Sequence, residues 1–85
     1  MADANIQLNI LVVDDEPDVL HSVSVFLEDQ GHCVCLADGG RQGLRCLQEQ
    51  AFDIVITDIK MPDVDGFAVL GEVRRSAPDT EVIMI

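Results

Sequence analysis

Asp58 closes the apolar run Ile54-Val55-Ile56-Thr57, and Asp14-Asp15-Glu16 close an earlier one, Ile10-Leu11-Val12-Val13. An apolar run that ends in carboxylate reads as a buried strand delivering acids to its carboxyl edge. If the two strands lie side by side and parallel, Asp14, Asp15 and Asp58 converge at one edge of the sheet. Carboxylates packed together repel one another, so the arrangement calls for a cation between them or a shared proton. A set of hard oxygen donors points to a small hard cation, magnesium first. The bland alternative is a helix start whose acids complement the macrodipole. Glu16 and Asp18 suit that role, but it does not account for Asp14 and Asp15 ending one strand while Asp58 ends another.

The elements that must position these residues alternate between two periods. Gln7 to Val13 is a near-continuous apolar strand of the kind buried on both faces. Pro17 suits the first turn of a helix, where its missing N–H is not needed. From Val19 onward Leu20, Val23, Phe26 and Leu27 recur at helical spacing, and Gly31 ends the helix. Cys33 to Leu36 is a second strand. In the turn Asp38-Gly39-Gly40, Asp38 is placed to cap a short helix over Arg41 to Gln50, which Gly43 weakens. Phe52 to Thr57 is the third strand and Met61 to Gly66 a loop rich in Pro, Asp and Gly. Val64 to Ser76 is a third helix presenting Phe67, Leu70 and Val73, broken by Ala77-Pro78-Asp79. Glu81 to Ile85 starts a fourth strand. The order β-α-β-α-β-α-β, with short connections, predicts an α/β fold with a parallel sheet and helices on both faces. Ligands of such sheets bind beyond the carboxyl ends of the strands, where Asp14, Asp15 and Asp58 fall.

Composition narrows the function. The 85 residues suit one small domain, 1–5 being a polar tail, and an apolar share of 48% is ample for a core. A net charge of −11 with only five basic residues argues against direct contact with nucleic acid and fits a basic surface or a cation as partner. Cys33, Cys35 and Cys46 are odd in number, and Cys33 and Cys35 share one strand face too tightly to bridge. His32-Cys33-x-Cys35 lacks a second ligand pair for zinc, so the cysteines read as buried small apolar residues. No signal peptide and no run of membrane-spanning length is evident, which leads to a cytoplasmic protein without membrane contact.

Val12-Val13-Asp14-Asp15-Glu16, then Ile56-Thr57-Asp58-Ile59-Lys60-Met61-Pro62, then Asp65-Gly66, resemble the receiver domain of two-component response regulators. The resemblance runs from Ile10 to Ile85. It implies a flavodoxin-like fold with strand order 2-1-3-4 and Asp58 as phosphate acceptor. Magnesium would be held by Asp15 directly, by Asp14 partly through water, by Asp58, and by the backbone carbonyl of Lys60. The implied partner is a histidine kinase or phosphotransfer protein whose phosphohistidine supplies the phosphoryl group, so the domain is a signalling module, not strictly an enzyme. Pro62 would fix the loop carrying the Lys60 carbonyl, and Gly66 would let the backbone turn tightly.

Against the family pattern, residues 6–85 read as an incomplete receiver domain that stops in its fourth strand. The family's Ser or Thr after that strand, and the Lys and aromatic switch residue that come with the fifth, are not among these residues. Phosphorylation is accordingly expected to be slow or short-lived. Val82-Ile83-Met84-Ile85 would form an apolar edge strand that invites a homodimer or domain-exchanged oligomer. The alternative function is a receiver-derived binding or dimerisation module without the phosphorylation switch.

Two rival motifs fail on position. Asp63-Val64-Asp65-Gly66 superficially matches the start of haloacid-dehalogenase-type phosphatases, but Lys60-Met61-Pro62 precede it where an apolar strand is required. As a calcium loop with Gly66 at its sixth position, it would put Met61 where the first carboxylate must be. His21 and His32 read as ordinary helix and strand-entrance residues.

Overall fold

The computed structural model describes residues 6–85; the polar tail expected at 1–5 lies outside the described residues. Four strands, β1 (Asn9–Val13), β2 (Cys33–Ala37), β3 (Ile54–Thr57) and β4 (Glu81–Met84), alternate with three helices, α1 (Pro17–Asp29), α2 (Gly40–Glu49) and α3 (Gly66–Ser76). All neighbouring strands run parallel in the order β2-β1-β3-β4. β1 is central because it is apolar on both faces: Ile10 to Val13 are all buried.

The two faces hold separate cores. On one, Leu11, Val13, Val55, Val69 and Val73 join Phe52 and Met61, with Leu44 and Leu47 of α2 packed against them. On the other, Ile10, Val12 and Leu20 pack with Val23 and Leu27 of α1 and Ile54 and Ile56 of β3. Helices therefore cover both faces, as the alternation of periods predicts.

Local chemistry sets the helix ends. Gly31 takes a left-handed φ of 94°, and the amides of Gly31 and His32 donate to the carbonyls of Glu28 and Leu27. This paired closure is what a C-terminal glycine permits. Asp65 caps α3, its carboxylate accepting from the Ala68 amide at 3.0 Å. No helix among the described residues is long and apolar enough to cross a membrane.

Several expectations fail locally. Phe26 and Phe67 are 63% and 60% exposed, because the faces of α1 and α3 that meet the sheet are centred on Leu20 and on Val69 with Val73. Asp38 does not cap α2: the cap position is Gly39, and the Asp38 amide donates instead to the Gln42 side chain at 2.7 Å. Gly43 is buried in α2, and a Cβ there would come within 2.9 Å of Val13 Cγ2, so its lack of side chain serves helix-to-sheet packing. Cys33 is exposed at the sheet's outer strand, while Cys35 and Cys46 are partly buried and meet at 3.9 Å. All three are free thiols. Burial and the neighbouring Cys35 push the Cys46 thiol up to about 11.

Candidate functional site: an acidic cluster at the carboxyl edge of the sheet

The strand ladders continue one residue past β1 and β3, and this places the acids. The Asp14 amide donates to Ala37 O of β2 at 3.1 Å, and the Asp58 amide donates to Val13 O of β1 at 2.9 Å. Since Val13 pairs with Thr57, Asp14 and Asp58 leave the sheet side by side. Oxygens of Asp14, Asp15 and Asp58 all lie within 4.8 Å of one another. Of the expected donors, then, the three aspartates come together, and Lys60 sits exposed two residues beyond Asp58 in the connecting loop.

The three acids differ in setting. Asp14 is 3% exposed, Asp58 is half-buried and Asp15 faces solvent. One Asp14 oxygen accepts from the Glu16 amide at 2.9 Å, which also organises the entry to α1. Burial raises the Asp14 carboxyl above its ordinary value, and the nearby carboxylates of Asp58 and Asp15 raise it further, against that hydrogen bond. No Lys or Arg among the described residues forms an ion pair with the cluster; the ion pair present is Arg75 with Glu72 on α3. A buried acid held beside two others, with oxygen donors only, is a setting that a hard divalent cation relieves.

The loop from Asp58 to Gly66 is held at both ends and in its middle. Gly66 N donates to Ile59 O at 2.8 Å, closing the neck. A Cβ on Gly66 would lie 2.2 Å from Asp58 O, so only glycine allows this approach. Gly66 has no left-handed φ, so it serves close contact here and not the tight backbone turn expected of it. Met61 is buried in the core beside Val69 and Val73, pinning the residue that follows Lys60. Thr57 Oγ1 donates to Asp58 O at 3.0 Å.

Asp63 has a part that the sequence reading missed. Its carboxylate accepts from the amides of Gly40 at 3.3 Å and Arg41 at 3.1 Å at the start of α2, and from Val64 at 2.7 Å. The signal available was the helix start Asp38-Gly39-Gly40, whose glycines carry no capping oxygen of their own.

The family model for the response regulator receiver domain matches residues 10–85. The chain belongs to that family. Among curated relatives, the receiver domain is 34% identical over 77 residues to the transcriptional regulatory protein GlrR of Escherichia coli K12, covering 91% of this chain and 17% of that regulator. Among solved structures, it resembles response regulator TrrA of Thermotoga maritima in complex with Mg(2+)-BeF, at 36% identity and a TM-score of 0.84 over 89% of this chain and 66% of that one. It also resembles chemotaxis response regulator CheY4 of Vibrio cholerae, at 33% identity and a TM-score of 0.88 over 93% of this chain and 68% of that one. The receiver domain thus spans a small part of the transcriptional regulator and about two thirds of either solved chain.

Proposed function

We propose that residues 6–85 form part of a receiver domain in which Asp58 accepts a phosphoryl group from the phosphohistidine of a histidine kinase or phosphotransfer protein, with magnesium held by Asp14, Asp15, Asp58 and the Lys60 backbone carbonyl. The observation that carries this reading is the convergence of three carboxylates within 4.8 Å at the ends of β1 and β3. The magnesium of the TrrA complex supports the choice of cation.

An Asp58 carboxylate oxygen forms the new P–O bond as the N–P bond of the phosphohistidine breaks and the imidazole leaves with the electron pair. Asp58 stands half-buried at the strand end, open to the donor on one side and fixed by its amide on the other. Asp14, buried and hydrogen-bonded to the Glu16 amide, cannot turn away from the cluster and so holds a fixed oxygen toward it. Asp15, exposed, completes the donor set from the solvent side. Magnesium, when bound, neutralises the aspartates and the phosphoryl oxygens so that the anionic group can approach.

The test is transfer from a phosphohistidine donor carrying labelled phosphate, with and without magnesium. The reading expects a hydroxylamine-sensitive acyl phosphate on the wild type and none on Asp58→Asn. Label that persists on the variant overturns the assignment. Self-association belongs to the same reading, with Ile83 and Ile85 exposed on the β4 side as its contact surface. A mass by light scattering that stays monomeric at high concentration removes that part.

A further inference from the structure

The hydrogen bonds of Asp63 tie the loop after β3 to the start of α2, two segments that also meet through the packing of Leu44 and Leu47 beside Met61, Val69 and Val73. One carboxylate oxygen accepts from Gly40 N and Val64 N, the other from Arg41 N. The first amides of a helix have no partner inside it, and α2 supplies no side-chain cap of its own. Asp63, reached across 23 residues of sequence, fills that gap.

The backbones around this contact are fitted to it. A Cβ on Gly40 would lie 2.0 Å from Val64 O, and one on Gly39 would lie 3.1 Å from an Asp63 carboxylate oxygen. Side chains at either position would push the loop off the helix. The three accepted amides also hold the Asp63 carboxyl below its ordinary value, Val64 and then Arg41 contributing most. The charged form is therefore the one that docks.

The docked segment begins three residues after Lys60. Between Asp58 and α3 the loop is fixed at Met61 by burial, at Gly66 by its contact with Asp58 O, and at Asp63 by α2. We propose that Asp63 is a positioning residue for the acidic cluster: by capping α2 it holds the Asp58–Gly66 loop, and with it the Lys60 carbonyl, in place for a divalent cation. This rests on the phosphoacceptor reading and extends it to a residue that touches neither the cation nor the phosphoryl group.

The experiment is magnesium titration of the full chain followed by calorimetry and by amide NMR shifts, with thermal melts alongside. Asp63→Ala is expected to weaken magnesium binding by roughly tenfold, the scale on which supports of a metal ligand act. Asp63→Asn keeps one accepting oxygen and is expected to fall between Asp63→Ala and wild type. Thr80→Val is the control for stability alone, since Thr80 Oγ1 donates to Phe52 O at 2.7 Å near the opposite edge of the sheet. It is expected to lower the melting temperature without changing magnesium affinity. Amide exchange at Gly40 and Arg41 should quicken in Asp63→Ala and not in Thr80→Val.

Wild-type affinity in Asp63→Ala overturns the proposal while leaving the phosphoacceptor reading intact. Equal weakening in Asp63→Ala and Thr80→Val also overturns it, since stability alone would then account for the loss. A wild type that binds no magnesium overturns the phosphoacceptor reading, and the role of Asp63 with it.

Discussion

Replacing Gly66 with alanine tests how closely the loop is built onto β3, the strand that ends at Asp58. The added Cβ would lie 2.2 Å from Asp58 O and 3.0 Å from Ile59 Cα, where ordinary contact begins at 3.4 Å. Both opposing atoms are backbone, so no side-chain rotation relieves the clash. The start of α3 or the end of β3 must shift by about 1 Å, and overpacking of this kind costs about 1–3 kcal/mol. Gly71 supplies the internal comparison: it lies in the same helix, and a Cβ there meets nothing within 4 Å. Gly71→Ala should therefore stabilise by roughly 0.5–1 kcal/mol, through helix propensity and the loss of chain entropy in the unfolded state. Urea and thermal melts followed by circular dichroism suit a chain with no Trp or Tyr. For a domain of this size each kcal/mol moves the midpoint by about 4–8 °C, so the two alanines should separate in opposite directions. The displacement also reaches Asp58 itself, so phosphate acceptance should fall by up to about 10² in Gly66→Ala. Equal stability of the two variants, or full acceptance by Gly66→Ala, would refute the close approach.

Other outcomes follow from the same geometry. Burial and neighbouring acids raise the folded-state Asp14 carboxyl above its ordinary 3.8. Its contribution to stability is therefore fully present below that value and is lost as pH rises through the folded-state value. In EDTA, Asp14→Asn should abolish this loss of stability as pH rises above the ordinary carboxylate value; an unchanged profile would contradict the assignment. At neutral pH magnesium should raise the melting temperature of the wild type and do so much less for Asp14→Asn, because a cation that binds only the folded state stabilises it. Alkylation at pH 8 should modify exposed Cys33 first and Cys46 last, since a thiol at about 11 is ionised in only about one molecule in a thousand there. Peptide mass mapping reads the order, and Cys46 labelled first would overturn it.

How much of this was legible in the sequence depends on range. The meeting of Asp14 and Asp58 could be read because two apolar strands end in acid, and the strand order that the family resemblance implies makes those strands parallel neighbours. Gly31 as a helix stop could be read because its cause is local. Phe26 and Phe67 fall outside what helical spacing resolves, because it gives the period of an apolar stripe without its angular limits, and the sheet is met by Leu20 and Val69 instead. Gly66 was rightly singled out, yet its reason, contact with Asp58 O, exists only once the loop has folded back. Local sequence points to Asp38 as the cap of α2, whereas Asp63 supplies it from the next loop. A capping residue from 23 positions away leaves no local pattern to find.

The most direct test of the account is intact mass after incubation with acetyl phosphate, with and without magnesium, beside Asp58→Asn. The account predicts one added phosphoryl group on the wild type with magnesium, and none without the cation or on the variant. An addition that survives Asp58→Asn, or that forms equally well in EDTA, would contradict the claim that the three aspartates act together as a cation-dependent acceptor.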